Sequence, residues 1–355
     1  MKIDICLVTT NENPCYYIFY PWIKPIWEKL LGVKCILIYI GEVLPTILLP
    51  YEKDIILFKP IEKIHTAFIA QNIRLLYPCI MDCENGVLIS DIDAVALNGD
   101  YFTDQIKNLD DDCFIHYSHS QKVYLHKEYI MSYNLASPKT WRDIFKISNI
   151  EDINSTLIDW FKQVGTYSFH PVYRSKCKGF HFDQQSLYKY LESWNKKDTK
   201  LIKFNIEDRK GFYPLNKIND PTEIAKIKRG EYHDCLVLRP YRKNSVKLAA
   251  LRKILLGTSI SPIKRPKTLK KLQLSEKEMI MEWCLLNQKL MLTKTVSFVP
   301  ESANEMAFIK SEQVNETVSL VSESINEMAF IKPEQVNETV SFVSEGIENG
   351  ADSIS

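Results

Sequence analysis

No apolar run in this sequence approaches the ~18–20 residues that a membrane-spanning helix needs. There is no G-x-x-x-x-G-K phosphate loop and no G-x-G-x-x-G fingerprint, which argues against P-loop and dinucleotide chemistry. Net charge is nearly absent: 45 basic against 44 acidic side chains leave +1 over 355 residues. Such a balance carries no electrostatic footprint for nucleic acid. A disulfide framework is missing as well. Nine cysteines, an odd number, are scattered along the chain. Several lie in apolar runs such as Asp4–Val8, where a free thiol behaves as a small hydrophobe. That usage points to a reducing compartment, and a strand-like start containing Asp4 does not read as a signal peptide. A soluble, intracellular, cytoplasmic protein is expected.

What is present is an ordinary globular composition, 45% hydrophobic and 25% charged, with a strong local asymmetry of charge. Residues 242–271 hold ten Lys or Arg and no acid, while 295–355 hold two lysines against ten glutamates and Asp352. The acidic stretch is repetitive: Asn304-Glu-Met-Ala-Phe-Ile-Lys310 returns as Asn326–Lys332, a period of 22 residues. Little more than two copies is too few to bury a continuous repeat core, so this tail is expected to be disordered. The organisation read from these shifts is a globular domain over 1–241, a basic helical extension over 242–294 and an acidic tail over 295–355. In the extension, Ser245–Leu256 reads as a basic amphipathic helix closed by Gly257. Residues 242–293 could rest on an anionic membrane surface, or pack on the domain and pair with the tail.

The first hundred residues alternate strand and helix signals. Ile3–Thr9, Cys35–Ile40, Asp54–Phe58 and Val87–Ser90 read as short buried strands. Pro21 opens a helical pattern stopped by Gly32, and a second helix covers 62–77, ended by Pro78. Strands separated by helices indicate a mostly parallel α/β sheet.

The most informative stretch is Gly86-Val-Leu-Ile-Ser-Asp-Ile-Asp-Ala-Val95, where an apolar strand runs into Asp91 and Asp93. Strand periodicity predicts both acids on one face, with Ile92 turned to the core. At the carboxyl end of a parallel strand they border the ligand crevice. Two such carboxylates repel unless a hard cation joins them, and Mg²⁺ or Mn²⁺ takes carboxylates together with phosphate oxygens. The plain alternative is a strand end followed by a turn. Cys113, His116, His119 and His126 match no strong zinc template and are read as packing or acceptor contacts.

With Asp91-Ile-Asp93 in this position, the sequence over residues 1–241 resembles the GT-A glycosyltransferases, in the style of those from large DNA viruses and some bacteria. Thr9-Thr-Asn11 after the first strand, Ala70–Leu76 before the D-x-D strand, Tyr133–Ser137, Phe182-Asp-Gln-Gln185 and Arg239-Pro-Tyr241 follow in the family's order. The resemblance implies a GT-A fold and transfer of a sugar from a UDP- or GDP-sugar to a hydroxyl acceptor, with Mn²⁺ or Mg²⁺ as cofactor. It implies donor contacts from Thr9, Thr10, Asn11, Arg74, Asp91 and Arg239, and acceptor-side contacts from Tyr133, Asn134 and Gln184. Asp93 becomes the principal metal ligand, with Asp91 at the ribose or a metal-bound water. His233 stands in the late segment where a metal or diphosphate contact is expected, although the register leaves Cys235 in the matching place. Asp183 becomes the base that takes the acceptor proton; by itself it equally reads as a helix N-cap. Arg74 pairs with a phosphate or a D-x-D carboxylate, or simply reaches to water. Two other functions stay open: nucleotidyl transfer on a similar fold, ranked lower because Thr9–Tyr16 contains no glycine, and a non-enzymatic scaffold using the repeats.

Overall fold

A computed structural model of the chain describes residues 1–165, 167, 179–195, 200–212, 215–236 and 241–257, the side chains of 241–243 excepted. The chain divides into units 1–270 and 271–355, and every described residue belongs to the first. The acidic repeats and Arg239 lie outside the described residues, as does the basic extension beyond Gly257.

β1 (Ile3–Asn11) leads through α1 (Pro14–Tyr17) and α2 (Tyr20–Leu31) to β2 (Lys34–Ile40). β3 (Ile55–Phe58), α3 (Thr66–Leu76) and β4 (Gly86–Ile89) follow. The middle supplies β5 (Ala94–Ala96), α4 (Gly99–Thr103), β6 (Phe114–His119), α5 (Gln121–Leu125) and β7 (Asn134–Ala136). Next come α6 (Pro138–Phe145), α7 (Ile150–Val164), α8 (Phe182–Asn195) and β8 (Leu201–Asn205). α9 (Pro221–Lys228), β9 (Asp234–Leu236) and α10 (Tyr241–Leu256) close the described chain.

Seven strands form one sheet in the order β3-β2-β1-β4-β7-β6-β8, within which β7 alone runs antiparallel. The expected α/β class, a mostly parallel sheet flanked by helices, is therefore what forms. Parallel neighbours need crossovers, which α2 and α3 provide. Both sheet faces are buried, and successive residues feed opposite cores. Cys6, Val8, Cys35, Leu37 and Leu88 face the layer of α2 and α10. Ile5, Leu7, Ile36, Ile38, Val87 and Ile89 face the layer of α3, α6, α7 and α8.

Local chemistry sets the element ends. Gly32 caps α2 in the left-handed region at φ 68°, its N–H bonded to the Glu28 carbonyl at 3.0 Å. α3 starts at Thr66, later than the expected 62, because His65 caps it: Nδ1 accepts the Ala67 N–H at 3.1 Å. The chain runs from β1 outward to β2 and β3, then returns to place β4 on the other side of β1. That reversal makes the gap beyond the carboxyl ends of β1 and β4 a topological switch point, the usual ligand crevice of such sheets.

α10 packs on α2. Trp22 Nε1 donates to the Leu248 carbonyl at 3.1 Å, Arg252 donates to the Pro21 carbonyl at 3.1 Å, and Leu248 and Leu251 are fully buried. The opening of the basic extension is thus part of the packed body. No described helix is long and apolar enough to cross a membrane.

α4 starts hard against the end of α2, where a Cβ on Gly99 would overlap the Leu30 carbonyl. Backbone cannot yield as a side-chain tip does. Gly99→Ala is expected to lower stability by about 1–3 kcal/mol, the overpacking cost outweighing the helix-propensity gain of at most ~1 kcal/mol. A urea midpoint equal to or above that of the parent would disprove this close approach.

Candidate active site

At the switch point, three distant segments meet on one guanidinium. Arg74, from the last turn of α3, donates from one terminal nitrogen to Asp91 Oδ1, just past β4. From the other it donates to Asp183 Oδ2 in the first turn of α8, at 2.8 Å. Asp91 Oδ2 accepts the Ser132 hydroxyl at 2.6 Å, and Asp183 Oδ1 accepts the Gln184 N–H at 2.9 Å. The side chains of Arg74 and Asp183 are 10% and 3% exposed and that of Asp91 is 28%, so this carboxylate–guanidinium–carboxylate bridge is buried at Arg74 and Asp183 and partly open at Asp91.

The bridge treats its two acids differently. Burial alone would push both carboxyl pKa values up. At Asp91 the Arg74 charge and the Ser132 hydroxyl overcome burial and hold the group below the ordinary carboxylate range. At Asp183 burial wins over Arg74, and the group is raised. Arg74 itself is held charged by its two partners despite desolvation. One acid is thereby a firm anion and the other a stronger base than a solvated carboxylate.

The D-x-D residues lie beyond the strand that periodicity assigns them to. β4 ends at Ile89, and Asp91–Ala94 is a turn closed by the Ala94 N–H on the Asp91 carbonyl at 3.0 Å. Alternation does not apply within a turn, although Ile92 does face the core at 4% exposure. Asp93 is buried at 8% exposure.

At the end of β1, Thr9 Oγ1 donates to the Ala70 carbonyl at 2.6 Å, tying the strand to α3. Asn11 Nδ2 donates to Thr66 Oγ1 at 3.1 Å, and Thr10 is buried beside it. Gln184 lies next to Asp183, its amide near His181 Nδ1 at 3.2 Å. α8 begins at Phe182, so Asp183 is inside the first turn and not at the N-cap.

Tyr133 and Asn134, expected on the acceptor side, are both fully buried. Tyr133 packs on Trp27 and Phe102 with φ +63°, while Asn134 bonds His116 Nδ1 at 2.6 Å and the Met131 carbonyl at 2.9 Å. They shape the turn that carries Ser132. His233 is held apart from Asp93: it pairs with Leu97, four residues further along, stacks on Tyr101 at 4.0 Å, and accepts the Lys210 N–H on Nδ1 at 3.1 Å.

Sequence reasoning missed Ser132 and Arg209. Arg209 lies 3.6 Å from Asp234 Oδ2, over the Tyr133 ring at 5.2 Å, and its charge helps lower Asp91. Neither residue sits in a motif; only the fold brings them to the turn after β4.

The surroundings suit a hard cation accompanied by phosphate. Mg²⁺ and Mn²⁺ are commonly held by one or two carboxylates plus substrate phosphates, without a protein cage. Among the described residues no group of three or more His, Cys, Asp or Glu could hold a metal alone, which also leaves the Cys113/His116/His119/His126 set without a zinc cluster. Arg74 pairs with Asp91 and Asp183, and Arg209 stands by Asp234. Arg74 and Ser132 together engage both oxygens of Asp91.

No family model and no curated protein matches the chain. Among solved structures, it is similar to a galactosyltransferase, LgtC, in complex with donor and acceptor sugar analogues: 15% identity, TM-score 0.39, covering 75% of this chain and 99% of that one. It is similar to the glycosyltransferase GlyE of Streptococcus pneumoniae at 13% identity and TM-score 0.38, over 72% and 63% of the two chains. A glycosyltransferase involved in glycosylation of the major capsid of PBCV-1 overlaps at 10% identity and TM-score 0.35, over 69% and 98%.

Removing the guanidinium should leave the buried Asp183 facing the partly buried Asp91 with no cation between them. Arg74→Ala is expected to lose about 3–5 kcal/mol near neutral pH. In the parent, the lowered Asp91 contributes stability above its unfolded pKa of about 3.9, and that stability is lost as pH falls through the folded value. The variant lacks this contribution, so the gap between the two should narrow in acid. Urea titrations across that range check it, and a gap independent of pH would show that the bridge is not the source.

Proposed function

We propose that this chain is a metal-dependent glycosyltransferase of the GT-A kind, moving a sugar from a UDP- or GDP-sugar to a hydroxyl acceptor on a glycan, protein or lipid-linked molecule. The observation that carries the proposal is the Arg74 bridge between Asp91 and Asp183 at the switch point of the sheet. Three residues singled out by motif meet there: Arg74 and Asp91 lie 17 residues apart, and Asp183 lies 109 residues beyond Arg74.

The nucleotide lies across the carboxyl end of β1, over Thr9, Thr10 and Asn11. Its diphosphate competes for Arg74, whose planar fork binds phosphate as well as carboxylate. Drawing Arg74 toward the phosphates releases Asp183 Oδ2. Asp183, already raised by burial, then takes the proton of the acceptor hydroxyl while Gln184 orients that hydroxyl. The acceptor oxygen bonds to the anomeric carbon, and the bond from that carbon to the diphosphate oxygen breaks. Mn²⁺ or Mg²⁺ at Asp93 would neutralise charge growing on the departing diphosphate. Arg239, outside the described residues, keeps its proposed donor contact. Peripheral membrane contact through 242–293 also stays within the proposal, and liposome flotation with and without that segment tests it.

Nucleotide sugars with Mn²⁺ are expected to raise the melting temperature by mass action, and Asp93→Ala to remove the metal-dependent part of the rise. Asp183→Asn should keep donor binding and lose transfer by about 10²–10⁴-fold. Unchanged turnover in Asp93→Ala would remove the metal assignment. No transfer or hydrolysis of any UDP- or GDP-sugar would overturn the reading as a whole.

A further inference from the structure

One turn of α8 beyond Asp183, a groove of about 650 Å³ opens between that helix and the end of α5. Its volume is in the range of small-ligand sites. The α8 wall is a single helical stripe, Gln185, Tyr188, Lys189 and Glu192, and the α5 end supplies His126 and Lys127. Beneath it is a rigid polar–aromatic floor. Tyr129 and Tyr124 donate their hydroxyls to Glu192 at 2.7 and 3.1 Å, and Lys203 lies 3.8 Å from the same carboxylate. The Lys203 ammonium also sits over the Tyr124 and Tyr129 rings at 4.6 and 5.1 Å, and Tyr188 packs against both.

The groove's charges are unevenly satisfied. Glu192 is fully engaged by the floor, and Glu128 at the rim accepts from Gln185 at 3.1 Å with His181 at 3.5 Å. Lys127 and Lys189 have no ion-pair partner among the described residues, and both are exposed. Lys127 is moreover held at φ +58°, unusual for a non-glycine residue, by its N–H on the Tyr124 carbonyl at 2.9 Å. The site offers two ammonium groups, an aromatic edge and an amide to its occupant, while its own acids are occupied.

We infer that this groove binds the remote part of the acceptor, and that the acceptor is an anionic glycan whose carboxylate or phosphate is read by Lys127 and Lys189. The inference rests on the glycosyltransferase reading for the word acceptor, but the binding itself does not. A sugar ring lies against Tyr188, its hydroxyls meet Gln185, and the chain leads along the α8 stripe toward Asp183. Selection for an acidic acceptor then comes from α8 and α5, away from the donor crevice.

The test is calorimetric titration of the full chain, without donor, with three probes: a glucuronate-containing tetrasaccharide, a phosphorylated tetrasaccharide and neutral cellotetraose. The anionic probes are expected to bind about tenfold more tightly than the neutral one, with the preference lost at high salt. The double variant Lys127→Asn/Lys189→Ala should erase the preference while leaving donor-induced melting shifts unchanged; Asn is chosen because it tolerates the left-handed backbone. Whichever anion binds more tightly identifies the group read. If donor assays fail but this binding pattern holds, the transferase reading falls and the site stands. Equal or absent binding of all three probes, or a preference that survives the double variant, overturns the inference.

Discussion

Arg74 sits between two acids that could not otherwise share a buried space. Its guanidinium is always charged and presents donors in a fixed plane, so it draws the turn after β4 and the start of α8 toward the end of α3. Much of the surrounding structure serves to keep that helix end in place. Thr9 ties β1 to Ala70 on the same helix, and Ser132 holds the oxygen of Asp91 that Arg74 does not reach. Such a bridge adds little net stability compared with apolar packing, because burying three charges costs most of what their attraction returns. What it does is specify the position of each carboxylate.

The same arrangement keeps the two acids chemically distinct. Asp91 is a fixed anion that can support a cation or a ribose hydroxyl, whereas Asp183 is raised and suited to accept a proton. With Arg209 and Asp234 close by, the carboxylates outnumber the guanidinium groups, so the neighbourhood carries an excess of negative charge. In the proposed reaction, only a shift of Arg74 frees Asp183 Oδ2. The groove along α8 continues from this helix start, so one helix carries both the proposed base and the surface proposed to select the acceptor.

Several readings from the sequence depended on local patterns and carried over because the physics is local. Apolar β-branched runs on a chain with helical spacers lead to a parallel sheet buried on both faces, and Gly32 stops α2 as expected. Asp91, Asp183 and Arg74 were picked out by motif and order, and they meet in space. Other placements depend on residues far along the chain. Tyr133 and Asn134 resembled an acceptor contact yet are wholly buried, one by Trp27 and Phe102 and the other by His116. His233 followed the family's order but is carried past Asp93 by the antiparallel register of β5 with β9.

From the order of its residues alone, the chain determined its class of fold, the strands that end at the crevice and the acids placed there. Periodicity, caps and breakers act over a few residues and need no partner. Only the tertiary structure decided that Arg74 joins Asp91 to Asp183, that Ser132 and Arg209 belong to the same neighbourhood, and which of the two acids has its pKa lowered and which raised. Those outcomes are set by burial and by charges that the fold brings close, and neither distance nor desolvation is written in any short stretch of sequence.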